Sequence, residues 1–137
     1  MKTKQTKQKQ WLEYGSRFSV AGVQYSDYQQ ITDKKIVGNT VRFIGEPSNA
    51  FDPKAIRIEY KGVKIGYVPS RTEMQRGLWE EHNNGAAIVG VITAVNHNNP
   101  SWNLFTVQVL VNRPKKRLTQ NEGDVLFANM RADLSYR

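Results

Sequence analysis

Hydrophobic and polar positions alternate most cleanly between Ala55 and Tyr67. Ile56, Ile58 and Tyr60 share one parity and Arg57 and Glu59 the other; beyond Lys61-Gly62, Val63, Ile65 and Tyr67 alternate with Lys64 and Gly66. Strict period two predicts two half-buried antiparallel strands. The Lys61-Gly62 pair reverses the chain, and Pro69, with no amide hydrogen to donate, stops the ladder. Upstream, Phe18, Val20 and Val23 in the run FSVAGVQY predict a first strand from Arg17 to Tyr25, with a bulge or close backbone approach at Gly22. A second strand is expected from Lys35 to Ile44, broken at Gly38-Asn39. Downstream, Ser70-Arg71-Thr72-Glu73 matches a capping box. It opens a helix that runs to about Asn83, with Met74, Leu78 and Trp79 on the buried side and Glu80 and Glu81 in water. Asn83-Asn84-Gly85 ends it. Two more strands follow, Ala86 to Val95 and Trp102 to Val111, joined by the turn-forming residues His97 to Ser101. The pattern predicts an all-β fold with one or two helices: a small six-stranded OB-like barrel, its helix lying between the fourth and fifth strands and plugging an open end. A parallel sheet would need alternating helices, which the chain lacks.

A length of 137 residues fits one domain. The net charge of +8 suggests phosphate as a partner, but its placement changes that picture. Residues 1–10 carry four lysines and no acid, residues 11–112 carry ten basic and nine acidic side chains, and residues 113–137 carry six and three. The body is nearly neutral and the basic balance sits at the ends. We therefore expect a flexible basic arm over 1–16, the barrel over 17–112, and a basic linker and tail over 113–137. In that tail Val125, Leu126, Phe127 and Met130 are expected to form a short docking strand or helix, or to bind a partner. Basic ends add salt-sensitive attraction to phosphates without choosing a sequence. With no cysteine there is no disulfide framework and no zinc-thiolate site. Neither a signal-length apolar run nor a membrane span is present, so a monomeric cytoplasmic protein is expected.

The catalytic inventory is thin. His82 and His97 stand at a helix end and in a polar turn, neither at a ligand spacing from a second donor, and read as exposed side chains. Asp52 and Glu46 are the one pair that a metal nuclease could use, and a loop carboxylate beside a proline is more often a turn-stabilising acceptor. No phosphate loop, nucleophile elbow or Cys-His pair occurs. The expectation is no enzyme, no cofactor and no metal. Binding is better supported. The run from Glu46 to Pro53 is a turn-rich loop leading into the first of the two alternating strands, a placement typical of binding residues. Tyr25, Phe51, Tyr67 and Trp102 are candidate stacking platforms, and Lys54, Arg57, Lys64 and Arg71 candidate phosphate partners. Tyr67 shares parity with Val63 and Ile65, which argues for core; Tyr25 and Phe51, at a strand exit and in a loop, are the better platforms.

Three stretches resemble the HIRAN family, found at the front of Swi/Snf-type fork-remodelling helicases and as short free-standing proteins of bacteria and phages. They are VAGVQY at Val20 to Tyr25, EPSNAFDPKAI at Glu46 to Ile56 and KIGYVP at Lys64 to Pro69. The likeness covers about residues 17–111. It implies an OB-like barrel and, in the family's best-understood members, capture of the 3′ end of single-stranded DNA. Carried over, Asp52 matches the carboxylate that accepts the terminal 3′-hydroxyl, and Phe51 and Tyr25 match aromatics that hold the terminal base. Asn49 and Lys54 would contact the end nucleotide, and Tyr67 and Arg71 further phosphates. Phe51 stands where helicase members carry tyrosine, and Gln24 where they carry a basic residue. The resulting expectation is a non-enzymatic module for 3′-hydroxyl ends of single-stranded DNA, serving DNA repair or replication. The competing expectation is an interaction or inhibitor module that docks on a DNA-processing protein through residues 118–137.

Overall fold

The computed structural model describes residues 10–97 and 104–114. Six strands, β1 (Leu12–Ser19), β2 (Thr40–Gly45), β3 (Ile56–Tyr60), β4 (Val63–Tyr67), β5 (Ala87–Val95) and β6 (Phe105–Asn112), form one sheet in the order β1-β6-β5-β2-β3-β4. Every neighbouring pair is antiparallel. Among the described residues one α-helix, α1 (Glu73–Asn83), joins β4 to β5. This is the expected six-stranded OB-like barrel with its helix after the fourth strand.

The sheet closes because its two ends meet just past β1. Ala21 and Tyr67 exchange both backbone hydrogen bonds, each at 2.8 Å, across an isolated bridge. That approach requires Gly66: a Cβ there would collide with the Ala21 carbonyl oxygen, at a φ of +145° that L side chains rarely adopt. The parity of β3 survives intact, with Ile56, Ile58 and Tyr60 buried and Arg57 and Glu59 half-buried. They join Val20, Val41, Ile65, Ile92, Val107, Val109 and Val111 in the barrel core, and Leu78 of α1 packs into the same cluster. The β3–β4 connection is a two-residue turn with both central φ positive, 48° at Lys61 and 84° at Gly62, which matches the natural strand twist. Lys61 Nζ reaches Asp33 at 2.8 Å, and the Tyr60 hydroxyl donates to the same carboxylate at 2.5 Å, tying the 27–39 connection to the hairpin.

Several sequence expectations need correction. The first strand begins at Leu12, inside the stretch expected to be an arm, and ends at Ser19. Its polar outer face hid it, and its irregularity lies between Tyr14 and Phe18. There the buried Gln108 side chain donates to the Gly15 carbonyl at 3.1 Å, satisfying a group that the irregular ladder leaves free. The VAGVQY run is not strand: Gly22, at φ 70°, opens a 3₁₀ turn over Val23–Tyr25. The second strand starts at Thr40 and not at Lys35, and the last starts at Phe105. The helix is capped by Thr72, whose hydroxyl accepts the Gln75 amide at 3.2 Å, and not by Ser70. Glu81 is not simply solvated, because Arg113 pairs with it through two bonds of 2.9 and 2.7 Å. Among the described residues, no helix is long and apolar enough to cross a membrane. Trp102 and the tail from 115 onward lie outside the described residues.

Candidate nucleic-acid interface

The loop between β2 and β3 is built by its own side chains. Asn49 Oδ1 accepts the backbone amides of Phe51 and Asp52 at 2.8 and 3.0 Å, while its Nδ2 donates to Glu46 Oε1 at 2.9 Å. Asp52 Oδ1 accepts the Lys54 amide at 2.9 Å. Asn and Asp do this well because a short side chain can close a ring with the backbone two or three residues on. With the Phe51, Asp52 and Lys54 amides engaged in this way, the Phe51 ring points away from the protein, 95% exposed.

Beneath the loop Glu46 is a hub. Its Oε1 also accepts the Tyr67 hydroxyl at 2.9 Å, and its Oε2 takes Arg57 at 2.6 Å; Arg57 in turn reaches Glu59 at 2.8 Å. Burial acts to raise the Glu46 pKa, but hydrogen bonds from Asn49, Tyr67 and Arg57 together with the Arg57 charge outweigh it and hold the carboxyl below its usual range. Tyr67 is half-buried, between the core and platform readings, and Lys64 Nζ lies 4.7 Å from its ring centroid in cation–π geometry. Arg57, expected as a phosphate partner, is therefore committed to two carboxylates.

The far side of the loop is gripped by α1 and its approach. Asp52 Oδ2 accepts Ser70 Oγ at 2.8 Å and Gln75 Nε2 at 3.0 Å, and Trp79 Nε1 donates to the Lys54 carbonyl at 2.7 Å. Gln75 Oε1 accepts the Arg71 amide at 3.1 Å, with Arg71 itself in the left-handed region at φ 60°. The Gln75 and Ser70 bonds, then the Lys54 amide, and finally the Arg71 charge lower the Asp52 pKa, so the group is an anion at neutral pH. A carboxylate offers about four acceptor positions; the loop and helix fill three of them, leaving one on Oδ1.

These groups line a cavity of about 370 Å³ walled by Ala21, Gly22, Asn49, Phe51, Asp52, Ala55, Tyr67, Val68, Ser70 and Gln75. It sits on the barrel seam. The 3₁₀ turn that starts at its Gly22 wall carries Tyr25, 82% exposed, and the Tyr25 amide donates to the Gly22 carbonyl at 3.0 Å. Of the expected site residues, Asn49, Phe51, Asp52 and Tyr67 form the cavity wall. Tyr25 stands on an adjoining turn, and Lys54 and Arg71 are exposed at the loop and helix ends. Sequence reasoning missed Ser70 as an Asp52 partner and missed Gln75 altogether. The available signal was a glutamine three positions before Leu78, on the helix face meant for the core. Among the described residues no cluster of three His, Cys, Asp or Glu side chains could hold a metal ion, and Glu46, weighed as a metal partner of Asp52, is engaged by Arg57.

The site is thus a cavity on the seam of a small closed barrel, with exposed aromatics around a buttressed carboxylate. The HIRAN domain model matches residues 14–112, and the chain belongs to the HIRAN family. HIRAN domains are DNA-binding modules. Among solved structures, the HIRAN domain of human HLTF is 23% identical over 77% of this chain and 81% of that one, with a TM-score of 0.53. A Lactobacillus plantarum protein, solved as a structural-genomics target, is 17% identical over 77% of this chain and all of its own, at 0.60. At such identities the likeness is one of fold. No curated protein matches the chain.

Proposed function

We propose that this domain binds single-stranded DNA by its 3′-hydroxyl end and does so as a binding module without chemistry of its own. The observation that carries the reading is the Asp52 carboxylate: anionic, held by three donors, and left with one acceptor position in a cavity whose rim is the exposed Phe51 ring. An ionised carboxylate can only accept hydrogen bonds. A 3′-hydroxyl donates to it, whereas a 3′-phosphate brings a second negative charge to the same place. Phe51 and Tyr25 stack the end bases, because every base has a π-face and such stacking tolerates any sequence. Lys54, Lys64 and Arg71 supply local positive charge to the backbone, and Asn49 keeps Phe51 and Asp52 in register with one amide hydrogen left for the ligand.

Fluorescence titration with 3′-hydroxyl, 3′-phosphate and circular single-stranded DNA tests the proposal. The 3′-hydroxyl strand should bind at least about tenfold more tightly than the 3′-phosphate, the value of one charge-assisted hydrogen bond. Equal affinity for all three would remove end recognition and leave a general DNA-binding module. In Asp52→Ala the preference should disappear while residual binding through the aromatics persists.

A further inference from the structure

We infer that Gln75 is the specificity-setting positioning residue of this site: its amide aims the free acceptor position of Asp52 into the cavity. The inference rests on the end-recognition reading for its biological meaning, but its geometry stands apart from it. Gln75 is only 5% exposed, on the face of α1 that also buries Leu78, a place where a glutamine side chain needs both ends partnered. Both ends are: Oε1 takes the Arg71 amide at 3.1 Å and Nε2 donates to Asp52 Oδ2 at 3.0 Å. The first bond fixes the sense of the second. A flipped amide would turn its oxygen toward the carboxylate and its NH₂ toward the Arg71 N–H, setting acceptor against acceptor and donor against donor. Ser70 and Gln75 both sit on Oδ2 and fill it, so the one acceptor position left is on Oδ1, beside the bond from the Lys54 amide at 2.9 Å. Ser70 is exposed and its hydroxyl can rotate to water, whereas Gln75 has no such alternative. One helical turn on, Trp79 holds the Lys54 carbonyl, so two side chains of one helix face grip the loop on either side of Pro53.

The discriminating variant is Gln75→Glu. Ionised, a glutamate here opposes Asp52 with like charge; protonated, it regains one donor and one acceptor in the glutamine pattern and restores the arrangement. The expected result is a preference for 3′-hydroxyl over circular single-stranded DNA, a pair with no terminal phosphate to titrate, that is reduced about tenfold at pH 8 and recovered near pH 5.5, while the wild-type preference changes little between them. A merely structural role would give no such recovery. A Gln75→Glu chain with wild-type preference at both values overturns the inference, as does a preference that is lost and stays lost at the lower pH in a chain whose amide spectrum is still that of the folded protein. Carboxyl carbon NMR of Asp52 in the ligand-free chain provides the second readout. Gln75→Leu, which removes the donor without adding charge, should raise the Asp52 pKa; an unchanged pKa overturns the positioning role. If the wild-type chain itself shows no end preference, end recognition fails, and the Asp52 titration alone decides whether Gln75 positions the carboxylate.

Discussion

Phe51 and Asp52 are neighbours with opposite dependence on the protein. The Phe51 ring touches almost nothing, so Phe51→Ala should lower affinity for single-stranded DNA by about 1–3 kcal/mol and leave the melting temperature unchanged, which titration and thermal unfolding together check. Below them Glu46 serves stability. Its folded pKa is depressed, so its contribution is complete above the unfolded value near 4.5 and is lost as pH falls through the folded value. The acid limb of the wild-type stability curve should therefore begin to fall near pH 4.5, and Glu46→Gln should be less stable at neutral pH with a flatter limb, measured by urea unfolding from pH 7 to pH 3. At this scale the sequence was legible where side chains act on their own loop. Asn49, Phe51 and Asp52 could be singled out because turn chemistry is local. Gln75 could not, because its two partners lie four and twenty-three positions away and only the closed barrel brings them together.

Among the elements, the β3–β4 hairpin was readable to within one residue, its first strand starting at Ile56 and not at Ala55, because parity, turn pair and terminal proline all agree there. The first strand was not. Its outward face is polar, its ladder is irregular, and the pairs Phe18/Val20 and Val23/Tyr25 mimic alternation although the second pair lies in a 3₁₀ turn. The glycine of β4 is an element-scale requirement of the same kind. In Gly66→Ala the new methyl meets the Ala21 carbonyl at a backbone angle unfavourable to alanine. A loss of roughly 2 kcal/mol or more is expected, read as a lower urea midpoint with unchanged slope. Smaller apolar substitutions on the exposed turn at Tyr25 should show no such cost.

For the molecule as a whole, the division between a neutral body and basic ends separates two kinds of affinity. Replacing Lys2, Lys4, Lys7 and Lys9 together by glutamine should flatten the dependence of log K on log salt, by about 0.7 for each phosphate no longer neutralised, without changing the ratio of 3′-hydroxyl to 3′-phosphate binding. Titrations between low and physiological salt check both. The Ala21–Tyr67 bridge has a further bearing on how the barrel breathes. Even the short β2–β5 pairing of two residue pairs is extended by backbone bonds from Gly38 to Ile92 and from Ile92 to Asn39, but this closure rests on two hydrogen bonds, and the candidate cavity straddles it. Opening there needs the least local free energy, so the Ala21 and Tyr67 amides should trade their protons for deuterons sooner than those of β5 and β6. A strand end seated across the bridge would slow that exchange at both positions, making the barrel's weakest closure its most direct reporter of occupancy.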